Sequence, residues 1–184
     1  MVTVRQTIHI NAPVEGVFRL ISDPSAKSEL NPLVCPIRIE LEDGRPLHQG
    51  SHCHYRLQSS NSIVDYFADI VRFEKNHLIE SRVETDPPVR VVEELAPEAG
   101  GTRLTQTESF EVDDAILDSF SPPGLRSRVL GLAYMLAIWF DADVAKMYRA
   151  KRERLLQDKL SADLGRWLSN IKRFSELDQG IGAR

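Results

Sequence analysis

The chain has 184 residues, of which 42% are hydrophobic and 27% are charged, and this is the composition of an ordinary globular protein. The formal net charge of −4 argues against nucleic acid as a partner, because phosphate binding normally requires a basic surface. Cys35 and Cys53 lack a C-x-x-C spacing, which argues against a zinc or redox cysteine motif and favours reduced thiols in the cytoplasm.

The N-terminal part predicts a strand followed by two short helices. Val2–Ile10 alternates apolar and polar residues, which is typical of a strand with one buried face. Asn11-Ala12-Pro13 ends this strand, and Pro13 suits the first turn of a helix that reaches Ser22 or Asp23. Pro24 begins a second short helix. No basic region precedes an apolar core at the N-terminus, so no signal peptide is expected.

The middle of the chain predicts six further strands joined by turns. Alternating apolar and polar residues begin near Ile37, Cys53, Val64, Ile79, Val89 and Thr102. Asp43-Gly44, Asp86-Pro87-Pro88 and Pro97–Gly101 supply the clearest turn signals between these segments. Because each strand keeps one polar face, we expect an antiparallel sheet that is covered by an apolar element on one side only.

The C-terminal third predicts the element that covers the sheet. After Ser121–Gly124, apolar residues recur at helical spacing as far as Ile171, which indicates a long helix with an apolar stripe. Gly165 and the polar stretch Lys151–Asp163 are the expected positions of a bend or a division. The run Val129–Phe140 is apolar on nearly all sides but too short to span a bilayer, so no integral membrane segment is expected.

Four short motifs follow one another in the order of the predicted elements. They are Ile8–Phe18 with its Ala12-Pro13 helix start, Ser22-Asp23-Pro24 with Asn31-Pro32, Leu95-Ala96-Pro97 with Gly100–Thr105, and Leu168–Arg173. With this order of elements, the chain resembles the START / Bet v 1-like superfamily, and more narrowly its polyketide cyclase/dehydrase-like (SRPBCC) proteins. The resemblance covers most of the chain and implies an α+β helix-grip fold. In that fold a seven-stranded antiparallel sheet wraps around a long C-terminal helix, and two short helices lie between strands 1 and 2.

Two features depart from the pattern of that family. Leu30 stands where the family often has Trp before Asn-Pro, and the segment 113–148 is longer than the family's usual link to its last helix. We therefore expect one domain over residues 1–178, with an extended or inserted segment at 113–148 and a flexible tail at 179–184. The family includes lipid and hormone binders, cyclases and proteins of no known activity, so the function must be argued from the site.

The strand phases predict which side chains line a cavity between the sheet and the long helix. On the strands, the expected ligand contacts are Cys53, Tyr55, Tyr66, Ile79, Ser81, Val83, Leu104, Gln106 and Phe110. The long helical region adds Tyr134, Met135 and Trp139, because aromatic and Met side chains adapt to flat apolar ligands. These faces favour the binding of a hydrophobic or aromatic small molecule, of a lipid or polyketide kind.

Acidic residues on the same faces leave an enzymatic alternative open. Glu108 shares the phase of Gln106, and a carboxyl group buried there would have a raised pKa suited to cyclase or dehydratase chemistry. The other interpretation of Glu108 is a solvated or arginine-paired residue near the end of its strand. The phase of Glu93 is ambiguous because Val92 is also apolar, and we expect Glu93 to be exposed at a sheet edge.

Two histidines raise the question of a metal site. His52 and His54 have the H-x-H spacing that can hold a metal ion when a third ligand joins them. They lie in the phase opposite Cys53 and Tyr55, so we expect them to face solvent. Neither a metal site nor a cofactor is therefore predicted.

The apolar run Val129–Phe140 supports a third hypothesis, that of an interaction protein. Burial of this run inside the monomer is one interpretation of its composition. Docking on a protein partner, on a second copy in a homodimer, or on a membrane surface is the other. The basic cluster Lys146–Arg154 beside it is interpreted as a solvated helix face, with contact to anionic headgroups as the alternative.

Overall fold

The computed structural model describes residues 1–112 and 142–181. Within these ranges, seven strands form one antiparallel sheet in the order β1-β7-β6-β5-β4-β3-β2. The elements are β1 Val2–Ile10, α1 Val14–Ile21, α2 Pro24–Glu29, β2 Cys35–Leu41, β3 His52–Ser59, β4 Ser62–Glu74, β5 Leu78–Val83, β6 Val89–Glu98, β7 Gly101–Phe110 and α3 Ala142–Ile181. This arrangement confirms the predicted helix-grip fold, with two short helices between β1 and β2 and a long helix at the end.

Local features of the sequence explain why the two short helices form. In α1, Val17, Phe18 and Ile21 lie on one face, and all three are buried. In α2, the Asp23 carboxylate accepts hydrogen bonds from the backbone N–H groups of Ser25 and Ala26, each at 3.0 Å. An acceptor at this position satisfies backbone donors that a helix start leaves free, so the six-residue α2 has a defined beginning.

The register of the central strands places polar side chains side by side. Glu93 of β6 lies opposite Gln106 of β7, and Val91 lies opposite Glu108. Irregular pairing between Pro36 and Arg38 interrupts the β2–β3 register. Such bulges bend and twist a strand locally, which helps an open sheet to curve around a helix.

Helix α3 covers the inner face of the sheet near β1. Leu164, Leu168 and Ile171 are buried in a core that they share with residues of β1 and α1. The indole N–H of Trp167 donates to the backbone oxygen of Lys27 at 3.1 Å, which ties α3 to α2. The helix runs through Gly165 without division and includes Gln179–Ile181, where the flexible tail was expected to begin.

Some of the predicted features lie outside the described residues. Tyr134, Met135 and Trp139 belong to this part of the chain, as do the apolar run Val129–Phe140 and most of the extended segment, so their roles stay predictions. Among the helices that the structure describes, none has the length and hydrophobicity needed to cross a bilayer.

Candidate functional site

A cavity of about 280 Å³ lies between the inner face of the sheet, α2 and α3. Its volume is near the lower end of the range for small-molecule pockets, which is about 300–1,000 Å³. The apolar and aromatic part of the wall consists of Val34, Tyr55, Leu57, Tyr66, Ala68, Val83, Val89, Val91 and Trp167. The polar part consists of Lys27, Ser28, Asn31, Ser81, Thr85, Gln106 and Glu108.

Two tyrosines form a flat surface within this wall. Tyr55 and Tyr66 are cross-strand partners on β3 and β4, and their rings stack with centroids 5.1 Å apart and planes 12° from parallel. Burial raises the pKa of Tyr66 to about 12 and raises that of Tyr55 well above its ordinary value. Both phenols are therefore neutral at physiological pH, and their stacked rings offer an apolar face to a ligand.

An ion pair is buried beside the cavity. The Lys27 ammonium lies 2.6 Å from Oε2 of Glu93, and the Glu93 side chain is only 2% exposed. The same ammonium lies 5.4 Å from the centroid of the Trp167 ring, within the range of a cation–π contact. The prediction of an exposed Glu93 at a sheet edge is therefore wrong. Strand β6 lies between β5 and β7, and Val92 is buried as well, so alternation did not reveal the inner face.

Gln106 and Glu108 lie together on β7. The amide nitrogen of Gln106 donates to Oε1 of Glu108 at 2.8 Å. Burial raises the pKa of Glu108, while the hydrogen bond from Gln106 and the charge of Lys27 lower it and the charge of Glu93 raises it. Glu108 thus belongs to the cavity wall, where it is half-buried and pairs with Gln106.

Two buried oxygen atoms at this end of the cavity have no hydrogen-bond partner among the described residues. They are Oε1 of Glu93 and Oε1 of Gln106. Gln106 is fully buried, and the two side chains extend from directly opposed positions of β6 and β7. A buried acceptor without a donor is unfavourable, so both atoms call for a donor that the described residues do not supply.

The structure brings together some of the predicted site residues and separates others. The cavity wall includes Tyr55, Tyr66, Ser81, Val83, Gln106 and Glu108. Ile79 and Leu104 lie in the hydrophobic core instead, where residues of α1 and α3 fill the space under the sheet. Cys53 is fully buried outside the wall, and burial raises the pKa of its thiol. Phe110 packs at the margin of the core and borders a separate, open depression beside β5.

Strand alternation missed three residues of this region, namely Lys27, Glu93 and Trp167. Trp167 follows the buried Leu164 by three positions, so helical spacing carried a signal for its inward side. Nothing in the local pattern of α2 indicates that Lys27 pairs with a strand far along the chain, because that contact depends on how α2 packs.

The predicted histidine pair lies on the face of β3 opposite the cavity. His52 and His54 stack on the two sides of Phe67, each with ring centroids 4.7 Å from it. His52 Nδ1 lies 2.7 Å from Asp69, and this hydrogen bond raises the pKa of His52. His52, Asp69 and Glu84 hold atoms of metal-ligand type within 4.8 Å of one another. The His52–Asp69 hydrogen bond already accounts for the closest of these contacts.

Solved structures of distant relatives share this architecture. Protein CV1439 from Chromobacterium violaceum has 14% identity and a TM-score of 0.60, with 96% of this chain and 99% of that chain covered. Protein NE0264 from Nitrosomonas europaea has 11% identity and a TM-score of 0.62, with 96% of each chain covered. The di-domain ARO/CYC StfQ from the steffimycin biosynthetic pathway has 14% identity and a TM-score of 0.66, covering 97% of this chain and 52% of StfQ. At these identities the likeness shows the fold alone.

Comparison of the sequence with models of protein families identifies the family of this chain. A search of curated proteins finds no match. A family model described as "Polyketide cyclase / dehydrase and lipid transport" matches residues 1–147, which is most of the chain. Together with the helix-grip fold and the cavity between its sheet and long helix, this match shows that the chain belongs to the polyketide cyclase/dehydrase and lipid transport family.

Proposed function

We propose that this protein binds an apolar, ring-containing small molecule in the cavity between the sheet and α3. The observation that carries the proposal is the stacked pair Tyr55–Tyr66, which faces the same cavity as the indole of Trp167. Aromatic walls of this kind match flat apolar ligands, and the aliphatic residues between them exclude water. The volume of about 280 Å³ fits a ligand of a few fused rings or a short acyl chain.

The polar end of the cavity supports the same function. Ligand pockets are mostly apolar with a small number of polar groups that fix the ligand's orientation, and Gln106 and Glu108 have this position here. The family description names both cyclases and lipid transport, and both classes handle hydrophobic molecules. We therefore propose a binding function for this chain, and experiments must identify the chemical class of the ligand.

A substitution that fills the cavity with a large side chain tests this proposal. Val83 lines the cavity on β5, and its neighbour Arg82 is exposed. Val83→Trp should reduce the affinity for naphthalene, followed by the probe's own fluorescence, by at least about tenfold, because the indole occupies ligand space. Arg82→Trp adds the same side chain outside this cavity and should leave the affinity within about twofold.

Native mass spectrometry of the purified protein adds a test without a chosen probe. We expect an apolar molecule to accompany the unmodified protein, to be released on denaturation, and to be absent from Val83→Trp. Unmodified protein that neither carries such a molecule nor binds naphthalene would refute the proposal. Equal affinity of Val83→Trp and the unmodified protein would also refute it, because the ligand would then lie elsewhere.

A second function is favoured by one specific observation, the position of Glu108. We propose that this carboxyl group can remove a proton from a carbon next to a ligand carbonyl, because it lies on the cavity wall and burial raises its pKa, which makes the carboxylate a stronger base. In this step the C–H bond breaks, its proton passes to a carboxylate oxygen of Glu108, and the electron pair forms an enolate.

Deuterium exchange tests this chemistry without knowledge of the natural substrate. The probe is 2-tetralone in D₂O, whose protons beside the carbonyl exchange through the enolate. The unmodified protein should accelerate the exchange, and Glu108→Gln should lower the acceleration by about a hundredfold or more. Naphthalene affinity measured on the same variant separates a loss of chemistry from a loss of binding. Equal exchange with both proteins would exclude Glu108 as the base.

A further inference from the structure

Strand β2 forms an edge of the sheet. The strand order ends at β2, and among residues 1–112 and 142–181 no strand pairs with its outer side. The Glu42 N–H donates to the backbone oxygen of His52 on β3 at 3.1 Å. Backbone groups of an antiparallel strand alternate in direction, so Ile39, three residues before Glu42, directs its N–H and C=O away from β3. The edge therefore offers a donor and an acceptor to a further strand.

Two features limit the part of β2 that a further strand can use. Pro36 has no backbone N–H, and the pairing with β3 is irregular between Pro36 and Arg38. Both features lie near the start of β2, and both discourage pairing at that end. The part that remains is Ile37–Leu41, which begins with an apolar side chain that is 51% exposed.

The charged side chains of this edge form a self-complementary pattern. Arg38 and Glu40 flank Ile39 in the sequence, and their side chains are 60% and 49% exposed. When two copies of β2 lie antiparallel with their Ile39 residues opposite each other, Arg38 lies opposite the partner's Glu40. The twofold symmetry repeats this pair on the other side of Ile39. Opposite charges on directly opposed residues stabilise an antiparallel pair, so a second copy of β2 complements the first.

The same charges disfavour the two neighbouring registers. A pairing centred on Arg38 would place that residue opposite the partner's Arg38, and a pairing centred on Glu40 would place two carboxylates together. Like charges that lie directly opposite each other destabilise a strand pair. The register centred on Ile39 avoids both contacts. It also brings the edge-directed N–H and C=O of Ile39 to those of the partner's Ile39, where they form a hydrogen-bonded pair.

We propose that two copies of this protein associate through β2, as an antiparallel strand pair with its twofold axis at Ile39. Each copy contributes the same strand, which is the arrangement of a symmetric dimer. Because the contact is short and polar, we expect a weak dimer with a dissociation constant of about 10–100 µM. Well below that concentration the chain is monomeric, and the exposed pair Arg38–Glu40 then contributes little to its free energy of unfolding.

Sedimentation velocity of the full chain between about 1 and 500 µM tests the association. The unmodified protein should shift from monomer to dimer over this range. Arg38→Glu should raise the dissociation constant by at least about tenfold, because the new carboxylate lies opposite the partner's Glu40. The matched control is Arg72→Glu on the interior strand β4, where Arg72 pairs with Glu74 at the same 2.7 Å and the same spacing. This control should leave the dissociation constant within about twofold.

An exchange of charges tests the register. Glu40→Arg should weaken self-association as Arg38→Glu does, because it places two arginines opposite each other. An equimolar mixture of these two variants should form a heterodimer, since each residue at position 38 then faces the opposite charge at position 40 of the other chain. The double variant Arg38→Glu with Glu40→Arg should again associate with itself.

Three results would overturn this proposal. A chain that stays monomeric at all concentrations would exclude the dimer. An unchanged dissociation constant in a folded Arg38→Glu chain would place the contact elsewhere. A mixture of the two single variants that remains monomeric would contradict the register centred on Ile39. Glu40→Arg provides the same test if Arg38→Glu does not fold, and recovery in the double variant would show that charge causes the loss.

Discussion

Lys27 and Glu93 form an ion pair that is almost withdrawn from water, with side chains 17% and 2% exposed. Removal of one partner from such a pair leaves a buried charge without compensation, which is worse than having neither charge. The main role of the ion pair is therefore to hold α2 against β6 beside the cavity, and its net contribution to the free energy of unfolding is small. It also positions α2, because the backbone oxygen of Lys27 accepts the Trp167 indole hydrogen bond.

The first prediction concerns this pair. Lys27→Met should lower the free energy of unfolding by about 3–5 kcal/mol, because Glu93 then remains buried without its cation. Urea denaturation of the folded protein measures this change. The double variant Lys27→Met with Glu93→Leu should recover most of the loss. A control in the exposed pair, Arg38→Met beside Glu40, should not change the unfolding midpoint measurably.

The second prediction concerns the pH dependence of stability. Burial raises the pKa of Glu108 above its ordinary value of 4.5, so the folded protein holds this proton more firmly than the unfolded chain. The associated stability is fully present below pH 4.5 and is lost as the pH rises through the folded-state pKa. Glu108→Gln removes this dependence and should therefore gain stability relative to the unmodified protein as the pH rises.

Denaturant unfolding between about pH 4 and pH 8 measures this difference. Glu94→Gln is the matched control, because Glu94 is exposed on the other face of the sheet and a surface substitution there should change stability by no more than about 0.5 kcal/mol. A Glu108→Gln variant whose relative stability stays constant over this range would show that the carboxyl group has its ordinary pKa in the folded protein.

The inner face of β7 could be predicted from the sequence because its apolar and polar residues alternate regularly. On β7, Leu104, Gln106 and Glu108 share a phase, and all three side chains point to the inner face. On β6 the buried Val92 hid the phase of Glu93, because both faces of the strand are covered there. Alternation alone cannot separate the faces of a strand that is buried on both sides.

At the scale of elements, the order and type of helices and strands could be predicted because each has a local cause. Asp23-Pro24 marks the start of α2, and the apolar stripe of α3 follows helical spacing. The packing of α2 against α3 could not be predicted, since it joins residues far apart in the chain. Asn170 of α3 donates to the backbone oxygen of Leu30 at 3.0 Å, and no local pattern indicates this contact.

The third prediction concerns the attachment of α3 to the sheet. Leu168 is 1% exposed in the shared core, so Leu168→Ala should lower the free energy of unfolding by about 2–5 kcal/mol through lost burial and a residual void. Leu177→Ala is the control on the same helix, because Leu177 is 63% exposed, and it should change stability by no more than about 0.5 kcal/mol. Equal effects of the two variants in thermal or urea unfolding would contradict this packing.

At the scale of the whole molecule, the sheet and α3 are joined firmly near β1 and leave space nearer β3–β6. Lys172 donates to the backbone of His9 and Gln157 to that of Thr3, so α3 is fixed along the β1 edge. The wall residues of β3 to β6 instead face the cavity. This division gives one fold both a solid core and an open cavity.

Intermolecular nuclear Overhauser effects from bound naphthalene would locate the ligand directly on the protein. We expect contacts from the probe's protons to the rings of Tyr55 and Tyr66 and to the methyl groups of Val83. We expect no contacts to Phe67, which stacks with the histidines on the opposite face. Contacts confined to Phe67 and that outer face, or no saturable binding, would contradict the claim that the cavity under the sheet is the ligand site.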